Sequence, residues 1–289
     1  MTELPTHYMH GKTRRKITTD DNGVPRNQWG QPLIWQADGT LKPYGRISKM
    51  AKELDTGEGL KLWSSAMTAI GLAQSPDLAA EVYELVDMSA DPYAEHKSAL
   101  IRLAGEAQEY AGSTVKRELG TALHYWAEVV DRTADLDLVP KEMRADIDAY
   151  LWATVELEVL DCELFVVVDE VECAGTLDRL LAMPDRIVVG DVKTGQADCD
   201  YPMSVEMQVA IYAHGVRYDF ATGQRTPLHP DVDLDLGLLI HAPSGQGHCE
   251  LYPLDLVRGW RNALLAFEVT KARKASGIKL KPLTTGVAA

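Results

Sequence analysis

Residues 173–195 read CAGTLDRLLAMPDRIVVGDVKTG, two apolar runs on either side of a short polar centre. Pro184 has a fixed φ suited to a turn over Met183 to Arg186, so the stretch predicts a β-hairpin. A hairpin symmetric about the Pro184–Asp185 bond sets Asp178 opposite Asp191 and Thr176 opposite Lys193. Directly opposed residues have Cβ atoms about 4.5–5.5 Å apart, where two bare carboxylates repel. Burying them is costly unless they are paired or bound to a cation. A hard divalent ion, with oxygen ligands at about 2.0–2.6 Å, removes that repulsion. Lys193 lies two residues beyond Asp191 and projects from the same face. Asp185 belongs to the turn. A blander arrangement has Asp178 and Asp191 at strand ends, paired with Arg179 or Lys193 on a solvated rim. One Asp-x-Lys does not decide between the two, and a slip of one residue would set Asp178 against Gly190.

Working outward, Val155 to Val168 alternates and then turns continuously apolar, which predicts a strand. Glu170 to Ala182 and Ile187 to Val192 predict two more. Pro202 opens a helix over roughly 203–218. Leu234 to His241 and His248 to Tyr252 are strands around the turn PSGQG, and Leu256 to Ala275 is a basic final helix. Upstream, Ser48 to about Leu136 has helical periodicity, in segments near 61–72, 77–86, 94–111 and 113–132. Ser113 and Thr114 are candidate N-caps for the last of these, with Glu118 as a capping-box partner. A helix over 141–153 follows Pro140. The fold class is therefore α/β (α+β), with a mixed sheet of about five strands flanked by helices after an N-terminal helical region. Residues 1–45 carry the turn clusters DDNG, WGQP and ADGT and read as an irregular arm. Residues 46–289 read as one domain: helical 46–153, sheet core 154–275 and a flexible tail 276–289.

At 289 residues, with 46% hydrophobic and 25% charged residues, the composition is that of an ordinary globular protein. The net charge of −14 argues against attachment to nucleic acid through a global field. The charge is unevenly spread: residues 1–50 hold eight Lys and Arg against four acids. Arg14, Arg15 and Lys16 in that arm are candidate phosphate contacts, although a solvated tail would have the same composition. Cys162, Cys173, Cys199 and Cys249 lack the short paired spacings of zinc sites and read as reduced structural thiols. The sequence predicts no membrane segment and no signal peptide, which points to the cytoplasm.

Four motifs occur in order: Gly120 to His124 (GTALH), Gly175 to Asp178 (GTLD), Gly190 to Gly195 (GDVKTG) and Gln208 to Tyr212 (QVAIY). Together they resemble the PD-(D/E)XK nuclease superfamily, specifically the RecB-like exonucleases that include the CRISPR-associated family and bacteriophage homologues. The resemblance implies a restriction-endonuclease-like core and a metal-dependent DNA exonuclease of recombination, end processing or phage DNA metabolism. A structure-selective or nicking endonuclease, or an inactive nucleic-acid-binding module, are the alternatives on the same core. It implies Mg²⁺ or Mn²⁺ held by His124, Asp178, Asp191 and the Val192 carbonyl. Lys193 would orient or deprotonate the attacking water, and Gln208 and Tyr212 would support it one helical turn apart. Arg46, Ser48 and Thr194 would contact DNA, as linear ends or single strands, and a recombination or replication protein is an expected partner. Glu163, Glu172 and Glu206 are further acids near the motifs. Some relatives carry an iron–sulfur cluster on one upstream and three C-terminal cysteines; that pattern is missing here, so no cluster is expected.

Overall fold

The computed structural model describes residues 5–195 and 202–275. In chain order the first elements are β1 (His7–His10), β2 (Thr13–Lys16), β3 (Thr18–Thr19), β4 (Pro25–Arg26), β5 (Leu33–Trp35), β6 (Leu41–Pro43) and β7 (Gly45–Arg46). Helices α1 (Ile47–Met50), α2 (Glu58–Gln74), α3 (Pro76–Asp87), α4 (Pro92–Tyr110), α5 (Ser113–Thr133) and α6 (Arg144–Ala153) follow. The central strands are β8 (Glu158–Val168), β9 (Cys173–Ala182) and β10 (Ile187–Lys193), and α7 (Met203–Ala213) comes next. The chain continues through β11 (Val216–Tyr218), β12 (Arg225–Pro227), β13 (Leu236–His241), β14 (Glu250–Asp255) and α8 (Leu256–Ala275).

The arm expected to be irregular instead folds as three antiparallel hairpins, β1–β2, β3–β4 and β5–β6. Two of its turn clusters, DDNG and ADGT, are hairpin loops, where Asp20 caps Asn22 and Val24 and Asp38 caps Thr40, whereas WGQP joins the second hairpin to the third. The strands between them are too short to show an alternating pattern, so only the loops are conspicuous in the sequence. The third hairpin docks on the main sheet. Trp35 N–H donates to the Tyr218 hydroxyl at 2.8 Å, the Tyr44 hydroxyl donates to Asp169 at 2.7 Å, and Ile34 is fully buried.

The main sheet is mixed and has eight strands where about five were expected. Its order is β12-β11-β8-β9-β10-β13-β14, with β7 paired to β9. The additional strands are short pieces. The helix expected over 203–218 stops at Ala213, and Val216 to Tyr218 join the sheet as β11. The central β10 is parallel to β13, and the helix after β10 is the crossover that such a pair requires. Helix α5 starts at Ser113 with Gly112 as its N-cap in the left-handed region (φ 87°), so neither Ser113 nor Thr114 is the cap.

The helices form a layer on each face of the sheet. Val189, Leu180 and Leu239 pack with Met207, Val209, Ile211, Leu256 and Ala263 under α7 and α8. Val188, Leu181 and Ile240 pack with Leu123, Ala127, Val130 and Ile147 under α5 and α6. Helix α7 is buried from Val205 to Ala213, and its apolar residues lie on every side, as expected of a helix held between a sheet and a second helix. No described helix is long and apolar enough to cross a membrane. The proposed flexible tail 276–289 and Cys199 lie outside the described residues, whereas Cys162, Cys173 and Cys249 are free thiols.

Candidate active site

The hairpin of residues 173–195 forms in the expected register. Ala182 pairs with Ile187, Leu181 with Val188, Leu180 with Val189 and Arg179 with Gly190. The turn is closed by Met183 N–H donating to the Arg186 carbonyl at 2.9 Å, with Asp185 exposed at its tip. The ladder stops at Arg179–Gly190, so the expected pairings Asp178–Asp191 and Thr176–Lys193 are not made. From Gly190 onward β10 pairs with β13. The far end of the same β9 edge pairs with β7, Gly45 with Cys173 and Arg46 with Ala174. Residues 175–178 therefore lie on an edge left open between two ladders, and the GTLD motif fills that opening.

Asp178 turns into the opening, where its Oδ2 accepts the Val192 N–H at 2.9 Å. Leu177 and Leu180 both belong to the core under α7 although they are an odd number of residues apart, so the alternation of β9 slips at this point. Across the sheet, the β8–β9 register runs through Cys162–Arg179 and Leu164–Leu177, which brings Glu163 opposite Asp178. Glu163 has φ 53°, a left-handed conformation that costs a non-glycine residue energy. The irregularity thus involves both strands at the two acids.

Asp191 points toward α7. Its Oδ1 accepts from Gln208 Nε2 at 2.8 Å and its Oδ2 lies 2.5 Å from Lys193 Nζ. Lys193 Nζ also reaches Gln208 Oε1 at 3.5 Å. Asp191 is 1% exposed and Lys193 25%, so the acid is enclosed while the lysine faces the opening. His124 on α5 approaches from the other layer, with Nδ1 3.9 Å from Asp178 Oδ2. Tyr212 is one turn beyond Gln208 and 3% exposed. Two glycines make room for these groups. A Cβ on Gly175 would lie 3.1 Å from the Tyr212 hydroxyl, and one on Gly120 would lie 2.6 Å from Thr194 Oγ1. The second contact joins the GTALH helix to the end of the GDVKTG strand.

The site is electrostatically frustrated. Burial pushes the Asp191 carboxyl up to about 6, with the Lys193 charge opposing and the Asp178 charge adding to the rise. Burial also raises Asp178, against the Lys193 charge and the Val192 N–H. Glu163 is pushed up to about 7 by burial, then by the charges of Asp178 and Glu128. Burial and the same cluster of carboxylates raise the Tyr212 hydroxyl well above its ordinary value. Among the described residues no group of three or more His, Cys, Asp or Glu side chains is already arranged to hold a metal. The donors nonetheless suit a hard divalent ion: two enclosed carboxylates that repel one another, an imidazole beside one of them, and one lysine that cannot neutralise both.

Several candidates lie away from this cluster. Glu172 pairs with Lys42 at 2.8 Å, and the buried Glu206 is held by Arg258 of α8, with Nε 2.9 Å away. Neither joins the site. Arg14, Arg15 and Lys16 lie on β2, in a hairpin separate from the main sheet, and Arg15 sits over the Trp29 ring at 5.7 Å. Arg46 and Ser48 are exposed at the β7–α1 junction, beside the Ile47 side chain that faces Gly175. The sequence reading missed Arg179. A candidate rim partner for Asp178, it is instead 1% exposed and turned to the opposite layer. There its Nε donates to Asp131 Oδ2 at 2.5 Å, and the Tyr150 hydroxyl donates to the same oxygen at 2.7 Å. The visible signal was an arginine inside an apolar strand, and its partners lay on two helices far away in sequence. Comparison with protein-family models and with curated proteins finds no match for this chain.

Proposed function

We propose that the protein is a divalent-metal-dependent nuclease with a PD-(D/E)XK-type core, acting on DNA as an exonuclease. The observation that carries this reading is the convergence of Asp178, Asp191, Lys193 and Gln208 at the opening in β9, with His124 facing them from the second layer. Asp178, Asp191, His124 and the Val192 carbonyl would hold Mg²⁺ or Mn²⁺. When bound, such an ion supplies charge compensation at the phosphate and makes a water nucleophilic near neutral pH. The chain's own part is positional. Gln208 fixes Asp191 and contacts Lys193, so the ammonium is held at the mouth of the opening, where it can stabilise developing charge on a phosphoryl oxygen. Asp178 is anchored by a backbone N–H rather than by a flexible side chain, which fixes its carboxylate at little entropic cost. The Tyr212 hydroxyl remains protonated, so it can donate a hydrogen bond.

The test is cleavage of end-labelled linear DNA and covalently closed circles with Mg²⁺, Mn²⁺ or EDTA, comparing wild type with Lys193→Ala. Divalent-dependent loss of linear DNA alone, abolished in Lys193→Ala, is the expected result. Cleavage of closed circles would assign an endonuclease instead, and no cleavage of any DNA or RNA would leave a binding module. Calorimetric Mn²⁺ binding should disappear in Asp191→Ala, and unchanged binding would remove Asp191 from the ligand set.

A further inference from the structure

A second concave feature lies on the same edge of the sheet. Residues from opposite ends of the chain, Arg46 and Lys49 at the β7–α1 junction and Arg273 and Lys274 on the last turn of α8, line a cleft of about 430 Å³. Gln31 of the arm closes one side, and Glu53, the single acid among the described lining residues, contacts Arg273. Four cations against one acid is a marked local excess on a chain of net charge −14. Gly45, also in the lining, pairs with Cys173, so the cleft adjoins the catalytic strand.

We propose that this cleft holds the sugar–phosphate backbone of a nucleic-acid strand whose scissile bond lies at the opening in β9. The proposal rests on the nuclease reading for the identity of the ligand. Arg46 pairs with Ala174, four residues before Asp178 on β9. At ~3.3 Å per residue that is about 13 Å. That is the span of only a few nucleotides along one strand. The cleft is therefore too far to touch the reacting phosphate and close enough to hold the same strand. Its cations come from four separate side chains with no aromatic ring among the lining residues, which suits phosphates and gives no platform for stacking bases. The short α1 turn is packed on Gly175 through Ile47, so a phosphate held by Arg46 and Lys49 has a fixed relation to the catalytic strand.

The test uses the full chain and a double substitution, Lys49→Ala with Lys274→Ala. Binding of fluorescein-labelled dT20 is followed by anisotropy in EDTA from 50 to 300 mM KCl. Losing two phosphate contacts should lower the slope of log K against log salt by about 1.4, at ~0.7 per contact on a single strand. Glu53→Gln should change affinity in the opposite direction. Hydrolysis of bis(p-nitrophenyl) phosphate with Mn²⁺, a substrate too small to reach the cleft, should be unchanged in the double variant and would show that its fold is intact. An unchanged salt slope, or wild type that does not bind dT20, would overturn the proposal. If wild type binds and the slope falls but neither substrate is hydrolysed, the cleft stands as a polyanion site and the nuclease reading fails.

Discussion

The acids of the opening differ in how strongly the fold opposes their ionisation, and Glu163 gives the clearest measurable consequence. Its carboxyl rises from 4.5 to about 7, through burial first and the neighbouring carboxylates second. A folded-state value above the unfolded one means the native state binds the extra proton between about pH 4.5 and 7. The associated stability is full below pH 4.5 and is lost as pH rises through 7. At ~1.36 kcal/mol per pH unit the ceiling is about 3 kcal/mol. The side chain is 35% exposed, and screening reduces the figure to about 1–2 kcal/mol. In EDTA, Glu163→Gln should therefore be more stable than wild type by about that amount at pH 8 and equal to it near pH 4.5. Urea unfolding at the two pH values measures this, and a difference independent of pH would locate the effect in packing instead of charge.

At the scale of elements, the buried Arg179–Asp131–Tyr150 cluster fastens β9 to α5 and α6, and so sets Asp178 against His124. Removing one member of a buried ion pair leaves the other charged and uncompensated, at a cost of about 3–5 kcal/mol. Arg179→Met should lower stability by that amount, whereas Tyr150→Phe should cost about 1 kcal/mol. Denaturant unfolding distinguishes them, and a mild Arg179→Met would show that Asp131 is neutral in the folded protein. This cluster also marks the limit of what the sequence could show. The hairpin register was legible because turn chemistry and alternation are local, and Gly120, Asp178, Asp191 and Gln208 could be placed from motif order. Where the ladder ends was not legible, because past Gly190 β10 is paired only on its other edge, with β13, a strand more than forty residues later. The partners of Arg179 were hidden for the same reason, since nothing in α5 or α6 identifies which acid faces a particular arginine. The β-hairpins of the arm escaped because strands of two to four residues carry no period.

At the scale of the molecule, the burial is markedly uneven. Helix α7 is buried along nearly its whole length, whereas α2 buries only Gly71, α3 buries no residue, and α4 buries only Leu103 and Ala107. Leu60, Leu62, Tyr83, Met88, Tyr93 and Ile101 of this helical region remain exposed. The region is held together mainly by α2 against α4, where Gln108 also bridges Ser64 and Thr68 at 3.0 Å each. Few buried apolar groups mean a small free energy of local opening, because hydrophobic stabilisation scales with the area removed from water. Amides of α2–α4 should therefore exchange with opening free energies at least about 3 kcal/mol below those of α7 and β9, roughly a hundredfold less protection. Hydrogen exchange by mass spectrometry on the full chain measures this directly. Equal protection across α2–α4 and α7 would show that the helical region unfolds only together with the sheet, and that its stability comes from contacts beyond α2 against α4. Protection that rises in α2–α4 when dT20 is added, with no change in α7, would extend the nucleic-acid surface beyond the basic cleft onto the most weakly held part of the fold.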